Sequence, residues 1–152
     1  ASIALVHETL SSSPDASVDF DQVLDSLVSH ALELSPRMSE LRIERTGELG
    51  SLEPRIATPL ALVITELIHN ALEHGLAETG SALGIHVATG ANELQVTISD
   101  DGVGLPDGFD IATSPNLGLQ IVRTLTENEL RGTLSLNSEA SETKAVLKFP
   151  NA

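Results

Sequence analysis

The sequence predicts an α+β fold of two layers, with helices covering one face of a mixed sheet. Three observations carry that expectation. Segments of helical and of alternating periodicity follow one another, two middle strands lie close enough to form a hairpin, and the order is helix, strand, helix, two strands, loop, helix, two strands. At 152 residues the chain has the length of one domain.

In the opening, Ile3, Ala4, Leu5 and Val6 are apolar and the polar run Ser11 to Asp15 contains Pro14, the pattern of a helix end and a loop. Residues 1–14 are therefore set apart from a folded unit of residues 15–152. Ser17 or Asp19 can cap a helix in which Phe20, Val23, Leu24, Leu27, Val28, Ala31 and Leu34 recur at helical spacing until Pro36. From Glu40 to Arg45, Leu41 and Ile43 alternate with charged residues as in a strand, and Thr46 to Gly50 carries turn residues. Thr58 as cap, Pro59 at the first position and Gly75 as stop delimit a helix from Leu60 to about His74.

Ile85 to Ala88 and Leu94 to Ile98 read as strands joined by a Gly90-Ala91-Asn92 turn. Asp100 to Asn116 is rich in Gly, Asp and Pro and has no periodicity, so it is a loop. Leu119 to about Leu130 returns to helical spacing through Ile121, Val122 and Leu125, with Gly132 closing it. Thr133 to Leu136 and Ala145 to Phe149 then alternate as two final strands.

Composition narrows the function. With three Phe and no Trp or Tyr, the core must be aliphatic. The 22 acidic against 8 basic residues give a net charge of -14, which repels phosphate backbones and argues against nucleic-acid or anionic-membrane binding. Without cysteine there are no disulfides or thiolate metal sites, and an intracellular location is permitted. No apolar run approaches the roughly 20 residues of a membrane span and the start lacks the basic residues of a signal peptide, so a soluble, cytoplasmic chain is expected.

Three motifs could carry chemistry. On the Leu60 to His74 helix, an advance of about 100° per residue puts Glu66, Asn70, Glu73 and His74 on one polar face, opposite Val63, Ile64, Leu67, Ile68 and Ala71. Such a face is often simply solvated, but a carboxylate and a carboxamide oxygen one turn apart can also hold Mg²⁺, which prefers oxygen ligands. Asp100-Asp101-Gly102-Val103-Gly104 ends a strand, where a carboxylate can accept from an exocyclic amine and glycines allow a ring to approach; alone, it is a turn. Asn116-Leu117-Gly118-Leu119 runs into a helix whose free amides suit phosphate oxygens, and reads equally well as a plain cap.

In that order the three motifs resemble the nucleotide-binding fold shared by histidine kinases, gyrase-type ATPases, Hsp90-type chaperones and mismatch-repair ATPases, a two-layer sandwich of the Bergerat type. Glu66 to Gly75 is similar to the family's N box, Asp100 to Gly104 to its G1 box, and Asn116 to Leu119 to its G2 box. Thr143 falls where the family often has a threonine before its last strand. The short Gly104 to Gly118 loop is similar to a kinase ATP lid, and Ile3 to Leu10 to the end of a dimerisation helix in HisKA_2 and HWE-like kinases.

The resemblance implies ATP or ADP and Mg²⁺ as ligands. It makes Asn70 the metal ligand, Glu66 the polarising carboxylate acting directly or through water, and Asp100 the adenine reader beside Gly102 and Gly104. Leu117, Gly118, Leu119, Thr143 and His74 would complete the nucleotide site, Gly118 and Leu119 through their amides. Two departures stand out: Glu73 replaces a common phosphate-binding Lys, and Asn116 replaces the first Gly of the G2 box. His74, Arg123 and Lys144 are the candidate substitutes for the missing cation, although exposed Arg and Lys are more often solvated charges.

The implied activity is transfer of the γ-phosphoryl group of Mg-ATP to a histidine on an upstream dimerisation segment, for relay to a response regulator. A likeness to soluble actinobacterial sensor kinases would imply a regulator of the RNA-binding antiterminator type. A nucleotide-sensing module with little transfer, an ATP-hydrolysing relative and a serine kinase of the anti-sigma kind stay open. His7 is expected to be structural, because the family's acceptor lies in a His-Arg-Val-Lys-Asn-Asn-like segment that nothing here matches; His30 and His86 sit in core-patterned segments. Other readings fail on spacing. Asp107 stands at the third glycine of a dinucleotide fingerprint, no Lys-Ser or Lys-Thr of a P-loop follows, and no zincin, di-iron or EF-hand pattern is complete.

Overall fold

The computed structural model describes residues 17–106, 108–111, 116–139 and 142–150. The division after residue 14, His7 and Asp107 lie outside the described residues.

A short strand β1 (Val18–Asp19) pairs antiparallel with β3 (Ser51–Leu52) beside the start of helix α1 (Phe20–Glu33). Asp19 caps α1 by accepting from the Gln22 amide, and Phe20, Val23, Leu24, Leu27 and Val28 form its buried stripe. Strand β2 (Arg42–Thr46) follows a 3₁₀ turn at Met38–Glu40.

Helix α2 (Pro54–Asn70) begins six residues before the expected start, at Pro54 and not Leu60. Pro54 takes the first position, Glu53 the cap position, and Thr58 caps nothing. Pro59 is inside the helix and buried, so one bond to the carbonyl of exposed Arg55 is forgone in the first turn. The apolar stripe running back through Leu60 to Ala57 and Ile56, all buried, offsets that loss. Beyond Asn70 the helix widens into a π turn, Ala71–Gly75, closed by the Leu76 amide donating to the Ala71 carbonyl at 2.7 Å.

Strands β4 (Ala82–Thr89) and β5 (Glu93–Asp100) form the expected hairpin, each longer than its apolar run. Helix α3 spans Leu117–Asn128, and the chain closes with β6 (Thr133–Glu139) and β7 (Glu142–Pro150). Thr143 is thus inside the last strand, not before it. The turn after α3 is made by Arg131, which has φ of 57°; Gly132, the expected stop, is needed because a Cβ there would stand 2.0 Å from the Lys148 carbonyl oxygen.

The five-stranded sheet has the order β2-β4-β5-β7-β6, with β2 and β4 parallel and the other pairs antiparallel, which makes it mixed. Register puts Leu83, Ile85, Val96, Ile98, Ala145 and Leu147 on one face, where they are buried under the helices. Arg42, Glu44, Lys144 and Lys148 alternate onto the other, exposed face. Half-buried His86 belongs to that face, with Nδ1 2.8 Å from the Thr46 hydroxyl, so it is not a core residue. Wholly buried Ile64 and Ile68 of α2 sit at the centre of the aliphatic core. The Pro54–Gly75 stretch is long and apolar enough to cross a bilayer, contrary to the expectation that no run approaches that length, but most of it is buried inside the fold, as befits a core helix.

Candidate nucleotide-binding site

The end of α2 packs against the end of β5, and between them opens a cleft of about 260 Å³. All three motifs contribute to its walls: Asn70, His74 and Gly75 from the first, Asp100 and Gly104 from the second, Asn116 and Leu119 from the third. Thr143 and Ala145 come from β7, Leu136 from β6 and Ile98 from β5, giving an apolar floor fit for a flat ring. Leu105, Pro106 and Phe109 of the loop also line it; the loop's lack of periodicity hid them.

Asp100 is 5% exposed, at the end of β5 and opposite Thr143 in the register. Its Oδ1 accepts from the Gly102 amide at 3.0 Å. Burial raises its pKa, the Gly102 bond opposes that rise, and the nearby charges of Asp101 and Glu142 add to it. A buried carboxylate with one amide donor has capacity for another donor from the cleft. Asp101 does different work. Its Oδ1 accepts from the Ser81 and Ala82 amides at 2.8 and 2.9 Å, chiefly the Ala82 bond lowers its pKa, and it fastens the second motif to the start of β4.

The single polar face expected on α2 is divided by the π turn, which advances less per residue than an α-helix. His74 faces the cleft, while Glu73 turns to His69 and lines a second cavity of about 370 Å³ with His30 at the end of α1. Glu73 therefore does not line the cleft. Asn70 lines the cleft with its Nδ2 buried and without a hydrogen-bond partner. Glu66, half-buried one turn earlier, lies outside the cleft wall beside the start of α3, its Oε2 2.8 Å from where Gly118 would carry a Cβ.

At the third motif the capping reading holds. Asn116 Oδ1 accepts from the Leu119 amide at 3.1 Å, so that amide, expected to serve phosphates, is already engaged. Leu119 contributes its buried side chain to the cleft instead. Leu117 is 73% exposed, and it and Gly118 stand in the first turn, where amides have no intrahelical acceptor. Arg123 pairs with Glu127 and Lys144 with Glu142, and neither lines the cleft, whereas His74 does. Gly102 is also outside the wall; it packs against Gly75.

Residues 55–152, which contain every motif of the cleft, match the family described as histidine kinase-, DNA gyrase B- and HSP90-like ATPase. The chain belongs to this family. Over 153 residues it is 42% identical to the sensor histidine kinase PdtaS of Mycobacterium tuberculosis, covering 99% of this chain and 30% of the relative. The PdtaS of Mycolicibacterium smegmatis is 44% identical over 153 residues, covering 98% and 30%. The chain thus spans about 30% of the length of the curated relatives it matches. The histidine kinase domain of the Erythrobacter litoralis blue-light activated histidine kinase shares the fold, with a TM-score of 0.84 at 21% identity over 97% of this chain and 74% of that one.

Proposed function

We propose that this chain is the ATP-binding catalytic domain of a cytoplasmic two-component sensor histidine kinase. The observation that carries the reading is the buried Asp100 carboxylate at the cleft wall, facing an apolar floor sized for a purine and bordered by Asn70, His74 and Thr143. Asp100 would accept from the exocyclic amine of adenine, with Gly104 allowing close approach, and His74 would meet the phosphates.

The residues present fit Mg²⁺: Asn70 and Glu66 offer hard oxygen donors one turn apart, and the Asn70 carboxamide, with its Nδ2 unpartnered, is not committed to a protein hydrogen bond through that atom. Asn70 would hold the ion, with Glu66 acting through water, and the ion would neutralise phosphate charge. The chain's own part is positioning. An imidazole nitrogen of a separate dimerisation segment attacks the γ-phosphorus, the bond to the β,γ-bridging oxygen breaks, and ADP leaves with the electron pair. A response regulator then takes the phosphoryl group, one of the RNA-binding antiterminator type if the likeness to PdtaS extends to its partner.

The test is incubation with γ-labelled ATP. The chain should remain unlabelled alone and should label a dimerisation segment supplied as a separate polypeptide. Acid-labile phosphate on this chain, lost in His7→Gln, would show the acceptor to be misplaced. A second reading, a nucleotide-sensing module with little transfer, is favoured by one observation: among the described residues no Lys or Arg lines the cleft and the Leu119 amide is engaged. Measured ATP binding with no transfer in trans would select it.

A further inference from the structure

Gly75 ends the π turn, and nothing in its backbone calls for glycine: it is not among the glycines with positive φ, unlike Gly80 and Gly104. The reason for glycine must be space. A Cβ at Gly75 would stand 2.5 Å from Asp100 Oδ1 and 2.6 Å from both Cγ and Oδ2, so its three nearest neighbours all belong to one carboxyl group. Around this contact one backbone bond ties the two segments and a second holds the carboxylate within its own. The Val103 amide donates to the Gly75 carbonyl at 2.9 Å, and the Gly102 amide donates to Asp100 Oδ1 at 3.0 Å.

We propose that Gly75 is a positioning residue for adenine recognition, the gap left by its missing side chain being the seat of the Asp100 carboxylate. The proposal rests on the reading of Asp100 as the adenine acceptor and adds to it the residue that fixes where the carboxylate stands. Its counterpart, Gly102, shows the difference between a seat and a joint. A Cβ at Gly102 would meet the Gly75 carbonyl oxygen at 1.7 Å, a backbone atom that yields only if the whole loop moves. A Cβ at Gly75 meets the far end of a side chain, which swings aside while the fold survives. Alanine at position 75 therefore moves the carboxylate off the line to the adenine amine.

The test compares Gly75→Ala, Asp100→Ala and the double variant in ADP affinity, in preference for ADP over GDP, and in melting temperature. Gly75→Ala should weaken ADP binding at least tenfold and shrink the ADP preference much as Asp100→Ala does. In the Asp100→Ala background the same substitution should cost no more than twofold and lower the melting temperature less than it does in the wild type, because the clashing atoms are gone. Should Gly75→Ala alone be too unstable to assay, recovery of a cooperative melt in the double variant supports the seat, and failure to recover overturns it. Weakened Asp100→Ala with unaltered affinity and preference in Gly75→Ala overturns the positioning role alone. Wild-type ADP affinity in Asp100→Ala overturns the adenine reading and this proposal with it.

Discussion

His69 Nε2 and Glu73 Oε1 stand 2.7 Å apart in the wall of the second cavity, on the side of α2 away from the nucleotide cleft. Glu73 is the residue whose negative charge, read along the sequence, threatened phosphate binding. The smaller advance of the π turn carries Glu73 further round the helix from Asn70, so that it lines the second cavity and not the cleft.

The first prediction follows. Glu73→Ala should change ADP affinity by less than about twofold and stability by at most about 1 kcal/mol, the range of exposed pairs. Glu73→Lys should help nucleotide binding no more than a charge reversal at exposed Glu78, both acting only through the net charge. A tenfold gain confined to position 73, measured by calorimetry, would place its side chain in the cleft after all.

Asp101 carries the second prediction. Its pKa is lowered by the Ala82 and Ser81 bonds, so the stability it contributes is present above its ordinary value of 3.8 and is lost as pH falls through the depressed folded value. Asp101→Ala should lower stability at neutral pH by about 0.5–1.5 kcal/mol, since the exposed carboxylate leaves amides that water can reach. The deficit against wild type should shrink in strong acid. A deficit that stays constant in acid would separate it from ionisation.

Much of this architecture was legible in the residues. The α1 stripe, the β4–β5 hairpin and the closing strands follow from periodicity, because each element has one face that is buried along its length. What escaped was set by contacts distant in sequence. Pro54 and Pro59 compete as helix starters, and only burial of Ile56 and Ala57 against the rest of the core decides for Pro54. A uniform 100° advance cannot foresee a π turn, so the facing of Glu73 and His74 was beyond it. Gly75 looked like an ordinary helix stop, since nothing local tells that a carboxylate 25 residues later fills its space. Asn116 showed both its roles in the sequence, and the bond to Leu119 chose the cap.

A third prediction concerns Asn70, whose buried Nδ2 lacks an acceptor. If the carboxamide serves a metal at the phosphates, Asn70→Ala should abolish transfer to the dimerisation segment while weakening ADP binding only modestly. ADP affinity in the wild type should rise with Mg²⁺, and in Asn70→Ala that gain should be lost. Equal affinity with and without Mg²⁺ in the wild type would remove Asn70 from the metal site. Because a buried donor is orphaned in the free domain, Asn70→Ala should also leave the nucleotide-free melting temperature nearly unchanged or raised.

The last prediction separates what Asp100 does for the ligand from what it does for the fold. Its pKa is raised above 3.8, mainly by burial. The protonated state is therefore favoured on folding, and the contribution to stability is full below 3.8 and lost as pH rises through the folded value. Asp100→Asn keeps the shape and an acceptor oxygen for the Gly102 amide without the charge, so it should raise the melting temperature of the nucleotide-free domain at neutral pH. That advantage should shrink as pH falls toward 3.8. Binding runs the other way. A donor from adenine favours the ionised carboxylate, so wild-type ADP affinity should fall as pH drops through the raised value, and Asp100→Asn should bind more weakly by about 1.5–3 kcal/mol with a flatter profile. Asp101 and Glu142 act on the same carboxylate, and His74 shares the cleft, where a protonated imidazole would attract phosphate. Repeating the titration in a His74→Gln background removes that opposing contribution. A variant that is both more stable and equally tight for ADP would show that the buried charge at position 100 is not there for adenine.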